Sequence, residues 1–294
     1  MSASTTTHTK ATEARASPQL SDLSELEIKP GEKTVSVGEF PRVPQFADQY
    51  EKREYLKGRL ALSLRIFGKY GFDEGVAGHI TLRDPVDPNT FWVNPFGMPF
   101  KLIKKSDLIH VDHEGNIIGG GLNRLLNLAA YAIHAEIHKA RPEVNCAAHA
   151  HSFYGRTFSA WGRVIDYTSQ DSCAFWNDLV VYDSFKGVVL ASEEGAAIAN
   201  ALGSKKACIL QNHGLLTVGT TVEAATFWFV SLDKLCHTQL LNDAACARGG
   251  TLKSIAAQDA EHTHENVGSS RAGWFNGLPL FQLMALECND EYLK

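Results

Sequence analysis

The sequence predicts an α/β fold in which helix layers enclose a mixed, mostly antiparallel central sheet. Strand-like runs alternate with stretches of helical periodicity, and several strands lie close enough in sequence to pair as hairpins. Of the 294 residues 44% are hydrophobic, enough for a sizeable core. A chain of this length holds one large domain or two small ones.

Residues 1–43 are expected to form a disordered arm. Residues 1–40 include 12 Ser or Thr and no sustained periodicity, so this stretch buries too little apolar surface to offset its ordering entropy. The globular unit is read as residues 44–249. It opens with a helix over Lys52–Tyr70, where Leu56, Leu60, Leu64 and Phe67 recur at helical spacing and Gly71 supplies the stop. Runs at His79–Leu82, Phe91–Asn94 and Leu108–Asp112 predict strands, and Gly115 and Asn116 turn the chain into another at Ile117 and Ile118. Helical spacing returns over Leu125–Lys139, ahead of Pro142. A strand at Asn145–His151, a helix over Phe153–Ala160 and a loop through Asp166–Asp178 follow. An apolar run at Val188–Leu190 leads to a helix over Glu193–Leu202, with Gly203 as its cap. The strand Ala207–Leu210 runs into Gln211, Asn212, His213 and Gly214, and Thr220 with Glu223 predicts a capping box for a long helix reaching about Ala245. The tail, residues 250–294, is polar from Gly250 to Gly268 and then aromatic around Trp274, Phe275 and Phe281. It is expected to act as a lid or a subunit contact.

Composition removes several function classes. Lys plus Arg number 28 against 33 Asp plus Glu, so the net charge of -5 offers no basic field for nucleic acid or anionic lipid. No stretch approaches the ~18 apolar residues of a membrane span, and Met1–Leu20 lacks the apolar core of a secretion signal. The six cysteines form no CxxC pair and no Asn-x-Ser/Thr site occurs. The expectation is a cytoplasmic protein with reduced thiols that acts on a small molecule, without nucleic-acid or membrane partners.

The chemical signal lies in histidines. On a strand, side chains at i and i+2 share a face, so His149 and His151 present two imidazoles together. His213 sits just past another apolar strand, beside a glycine that lets the backbone turn sharply. Three neutral imidazoles suit Zn(II), Fe(II) or a similar ion and leave positions open for water or substrate. An HxH pair is also a common hydrogen-bonded core arrangement, and spacing alone weighs the two readings evenly. His134 and His138, at i and i+4 in apolar helical context, read as packed histidines that contact backbone or neighbours.

At these residues the sequence resembles the class II aldolase and adducin head-domain family. The resemblance spans about Arg53–Ala245 and is carried by Ala77–Arg83, Asn94–Pro99, His134–Pro142, the His149 and His151 pair with Ser152, and Gln211–Leu215. It implies an α/β/α class II aldolase-like fold, frequent assembly as a homotetramer, and a catalytic divalent metal, usually zinc, on His149, His151 and His213. The chain departs from the sugar-phosphate aldolases of that family. Their acidic proton shuttle, 19 positions before the first ligand, is Ala130 here, and the two serines before it are Leu128 and Ala129. The family's phosphate-binding Asn is His79, and the Thr-Gly of its phosphate loop is Phe96-Gly97. A pocket stripped of a carboxylate and several polar donors suits a sugar phosphate poorly.

Two branches share this altered pattern: the adducins, and the decarboxylating non-haem iron oxygenases of aminocoumarin biosynthesis, a secondary-metabolism pathway. Gly75–Asp84, Phe91–Pro99, Gln170–Phe175 and Ala272–Trp274 are more similar to the second branch, and Glu287–Tyr292 is acidic and aromatic where an adducin is expected to turn basic. The resemblance therefore implies a metal-dependent enzyme that cleaves a carbon–carbon bond in a small, aromatic or carbonyl-containing 2-oxo or 2-hydroxy acid. Fe(II) with O2 and loss of CO2 is favoured over phosphosugar aldol chemistry. A zinc retro-aldolase for an unphosphorylated substrate and a non-catalytic adducin-like protein are the alternatives. The resemblance also gives His79 a substrate-carboxylate or proton-donor role and makes Asp171 a catalytic acid–base candidate, each weighed evenly against a structural role: a hydrogen-bonded strand histidine and a turn-capping aspartate.

Overall fold

The computed structural model describes residues 39–185 and 192–294. Its sheet has eight strands: β1 (His79–Arg83), β2 (Thr90–Val93), β3 (Ile109–Asp112), β4 (Ile117–Gly120), β5 (Cys146–Ala150), β6 (Leu179–Tyr182), β7 (Ala207–Leu210) and β8 (Gly214–Gly219). They lie in the order β4-β3-β2-β1-β5-β8-β7-β6, and every pairing is antiparallel except β6 with β7. Among the described residues seven α-helices accompany it: α1 (Gln49–Tyr70), α2 (Leu128–Ala140), α3 (Phe153–Ser159), α4 (Ser192–Leu202), α5 (Val222–Cys246), α6 (Ala257–Val267) and α7 (Ser270–Glu287). The predicted class, a mixed and mostly antiparallel sheet between helix layers, is the one observed. No helix among the described residues is long and apolar enough to cross a membrane.

Strand alternation divides the core in two. Cys146, Ala148 and Ala150 of β5 join Ile209 and Leu215 in packing against Leu60, Leu64 and Phe67 of α1 and Phe229 of α5. Ala147, Cys208, Leu216 and Val218 face the other way, onto Ile133 and Ile137 of α2 and Ile198 and Leu202 of α4. The α1 and α5 layer is held by polar contacts as well: Arg59 Nε donates to Glu223 at 2.6 Å, and the Ser63 and Thr226 hydroxyls meet at 2.6 Å, all buried or nearly so. Gly71 ends α1 in the left-handed conformation that the sequence anticipates.

Several expectations are corrected. The α5 cap is Thr221, whose side chain accepts from Ala224 N at 3.1 Å; no capping box involving Thr220 forms, because the Glu223 carboxylate is drawn to Arg59. The second helix starts at Leu128 and not at Leu125, since Asn127 Oδ1 accepts from Ala130 N. The loop through Asp166–Asp178 contains a 3-10 turn, Asp171–Phe175. The apolar run Val188–Leu190 lies outside the described residues. The polar stretch after Gly250 contains α6, and the aromatic patch is part of α7. Trp274 and Phe281 point into the core, 3% and 0% exposed, while Phe275, Leu283 and Leu286 occupy the outer face of α7. A buried cation fastens this C-terminal pair to the sheet. Lys206 Nζ donates to Gly268 O at 2.6 Å and to Asp178 Oδ2 at 3.0 Å, and it lies over the Trp228 ring.

Candidate metal centre

Sheet register brings the histidines together. Antiparallel pairing sets His79 of β1 opposite His149 of β5, and His149 opposite Leu216 of β8. His151, two residues on, shares the face of His149. His213 arrives on the short connection from β7 to β8, where Asn212 takes a positive φ of 56° and His213 N bonds Leu210 O at 3.0 Å. Gly214 then runs hard against β5: a Cβ on it would sit 2.7 Å from the Ala150 carbonyl oxygen. Only glycine permits that approach, and it carries His213 to the other two histidines.

One ligand atom from each of His149, His151 and His213 lies within 4.8 Å of the others. The rings stand edge to face, their centroids 4.7 to 5.1 Å apart. His149 is 3% exposed and its Nδ1 lies 2.8 Å from the Leu215 carbonyl oxygen. A carbonyl can only accept, so Nδ1 carries the hydrogen and Nε2 keeps its lone pair for an ion. Burial, then the neighbouring His213, holds His149 well below the ordinary histidine range. Burial and His151 bring His213 down to about 4, and burial with the nearby Arg156 lowers His151. All three are therefore neutral at pH 7, the protonation state a divalent ion requires of imidazole. The set fits Zn(II), Fe(II) or a similar cation.

His79 flanks this centre, 4% exposed, its ring centroid 5.4 Å from that of His149 and 4.0 Å from that of His134. Neither of its ring nitrogens makes a hydrogen bond; the Ala130 backbone approaches but outside bonding geometry. Burial and then His134 keep it neutral. A small cleft of about 10 Å³ opens beside it, bounded by Gly78, Asn94, Phe96, Leu126, Asn127 and Tyr131 among others. No Lys, Arg, Asp or Glu lines it. Asn94 Oδ1 accepts from Ile80 N and the Tyr131 hydroxyl donates to Asp112 O, so the amide nitrogen of one and the ring of the other remain for a ligand.

Asp171 lies apart from this cluster. Itself exposed, it opens a 3-10 turn whose other four residues are buried and which packs against α6 and α5, and it is not among the residues whose ligand atoms gather at the histidines. Sequence reasoning overlooked a polar chain behind His79: Thr81 Oγ1 lies 2.8 Å from both His134 Nδ1 and His138 Nε2. Its signal was present as two same-face pairs, His79 with Thr81 on a strand and His134 with His138 on a helix.

A model of the class II aldolase and adducin N-terminal domain matches residues 58–240. The chain is 46% identical to decarboxylase NovR of Streptomyces niveus, covering 83% of this chain and 88% of that one. It is 45% identical to the 4-hydroxy-3-prenylphenylpyruvate oxygenase/4-hydroxy-3-prenylbenzoate synthase of Streptomyces roseochromogenus, covering 83% and 86%. Among solved structures, the L-fuculose 1-phosphate aldolase from Glaciozyma antarctica is 46% identical and superposes with a TM-score of 0.80, covering 86% of this chain and 97% of the other.

Proposed function

The chain belongs to the class II aldolase and adducin N-terminal domain family, and from that premise we propose that it is a divalent-metal-dependent enzyme cleaving a carbon–carbon bond in an aromatic 2-oxo or 2-hydroxy acid. The observation that carries this reading is the cleft beside His79. Its lining combines Val93, Phe96, Leu126 and Tyr131 with His79 and two asparagines and holds no Lys or Arg, whereas a phosphate dianion needs charge or a nest of donors to replace its water. Its apolar walls match an aromatic ring in character, and the cleft must widen to admit one. The names of the two Streptomyces relatives, an oxygenase and a decarboxylase, support oxidative decarboxylation.

His149, His151 and His213 would hold the ion. When bound, the ion, Fe(II) in our reading, supplies a dipositive anchor for the substrate's acid group and the redox centre for oxidative cleavage with loss of CO2. The remaining work belongs to the chain. The Leu215 carbonyl fixes the His149 tautomer, Tyr131 and Phe96 bound the space for the ring, and the Asn94 amide nitrogen faces the cleft as a donor. His79 is the buried group that exchanges a proton with substrate, and Asp171 is the second acid–base candidate. We place the enzyme in the cytoplasm as a homotetramer, with the outer face of α7 as one subunit contact.

Retro-aldol cleavage on the same three imidazoles with Zn(II) is the second reading, favoured by the fold neighbour that is an aldolase. The absence of a carboxylate at Ala130 weighs against it. Elemental analysis of anaerobically purified protein, with O2 uptake measured on a panel of aromatic 2-oxo and 2-hydroxy acids, separates the two. Stoichiometric iron and substrate-dependent O2 uptake are expected, with turnover lost in His79→Asn. Zinc without O2 uptake would overturn the oxygenase reading in favour of the aldolase, and a metal-free protein would leave an adducin-like binding module. Asp171→Asn, assayed alongside, decides the part of that residue.

A further inference from the structure

Behind His79, buried polar groups form a chain whose polarity can be read from one end. His138 Nδ1 lies 3.1 Å from the Val144 carbonyl oxygen, which can only accept; Arg83 Nη2 is farther off, at 3.5 Å, and has shorter contacts to the His138 and Val144 carbonyls at 2.8 and 3.2 Å, so Nδ1 carries a hydrogen. The ring cannot also take a second proton. It is buried and Arg83 stands beside it, with Nη2 donating to the His138 carbonyl at 2.8 Å. His138 Nε2 is therefore bare and accepts the Thr81 hydroxyl hydrogen across 2.8 Å. A threonine hydroxyl has one hydrogen. Having given it to His138, Thr81 Oγ1 can only accept from His134 Nδ1, also at 2.8 Å. His134 is left with a bare Nε2, which is buried and has no partner.

The neighbouring ring is that of His79, tilted 41° to it with centroids 4.0 Å apart, and both His79 nitrogens, like His134 Nε2, lack a hydrogen-bond partner. A neutral imidazole has one N–H and one bare nitrogen, and a bare His134 Nε2 can satisfy only the N–H. We propose that Thr81, His134 and His138 form a one-way hydrogen-bond relay that fixes the His79 tautomer, turning its N–H inward and its bare nitrogen to the cleft. His79 then meets substrate as an acceptor, and the substrate class narrows to molecules that present an O–H there, such as a 2-hydroxy acid or an enol. This last step rests on the substrate-facing role assigned to His79 above. Thr81, His134 and His138 are positioning residues that need not touch substrate.

The test is solid-state 15N NMR of histidine-labelled protein, metal-free and Zn(II)-loaded, with His79 signals assigned by their loss in His79→Asn. The wild-type protein is expected to show His134 and His138 as Nδ1–H tautomers. Thr81→Val removes the acceptor for His134 and should shift His134 toward Nε2–H and invert His79, whereas Thr81→Ser should restore the wild-type spectrum. In turnover, Thr81→Val should lower kcat by about 10- to 100-fold with little change in KM, and Thr81→Ser should recover it. An Nε2–H tautomer at His134 in the wild-type spectrum would overturn the relay even if Thr81→Val fails to fold. Unchanged His134 and His79 signals in a folded Thr81→Val would do the same. Full turnover by His79→Asn with the tautomers as stated would instead remove His79 from the proposed chemistry and leave the relay standing.

Discussion

Replacing Gly214 with alanine probes how the metal centre depends on the sheet. The new Cβ would lie 2.7 Å from the Ala150 carbonyl oxygen, where ordinary van der Waals contact begins near 3.4 Å, so β8 and β5 must part by about 0.7 Å at this point. The clash is with backbone and cannot be relieved by a side-chain rotation. Overpacking of this kind costs about 1–3 kcal/mol. His213 is the adjacent residue, and a ligand set tolerates displacements of only about 0.2 Å. A shift of that size should weaken metal binding by about 10- to 100-fold, comparable with losing a group that orients a ligand. Competition against a chromophoric chelator measures the affinity and urea unfolding measures the stability. Gly119→Ala is the control, because its Cβ would meet nothing closer than 3.7 Å and should change stability by less than about 0.5 kcal/mol. If Gly214→Ala kept wild-type affinity and urea midpoint, the close approach of β8 to β5 would not be what places His213. Equal losses in both variants would mean that any alanine in this sheet is harmful.

Two further outcomes follow from contacts away from the site. Thr221→Ala should cost about 1 kcal/mol in urea unfolding, the usual worth of an N-cap, while Thr220→Ala, which caps nothing, should cost distinctly less. Asp178 is held below the ordinary carboxylate range: burial pushes it upward, but the hydrogen bond from His264 and the charge of Lys206 outweigh that. A carboxylate lowered on folding stabilises fully above its unfolded value, near 3.8, and loses that contribution as pH falls through the lower folded value. Thermal unfolding between pH 5 and about 2 should therefore fall more steeply for the wild-type chain than for Asp178→Asn, and parallel acid limbs would refute the assignment.

The legible parts of the fold are those whose signal is local. α1 shows a full apolar stripe and its glycine stop, and β5 shows two imidazoles on one face of a strand. β8 is hidden because glycines stand at both of its ends, a composition that reads as loop. β6 goes unread although it is as long as β2, β3, β4 and β7; it lies at the edge of the sheet and pairs with β7 alone. α6 buries only Ala260, and the half-buried residues that complete its inward face, Thr263, His264 and Val267, are too polar and small to read as an apolar stripe; His264 against Asp178 helps hold it in place. The mistaken cap has a tertiary cause, since Glu223 forms its bond with a residue 164 positions away. The same holds at the site. His149, His151 and His213 could be named from spacing and neighbouring glycine, but the approach of His134 to His79 depends on where α2 crosses the sheet, which no sequence window contains.

The strand order also bears on how the chain folds. β5 is the middle of the sheet, yet its partners are distant in sequence: β1 ends at Arg83, before β5 begins at Cys146, and β8 starts only at Gly214. Closing loops of that length makes the central pairings slow, while the hairpin of β3 and β4 and the helices form from nearby residues. A nascent chain thus carries His149 and His151, two of the three proposed ligands, before His213 is made. On the proposed metal assignment, tight binding would mark the completion of the sheet's centre and draw the last strand home by mass action on the folded state.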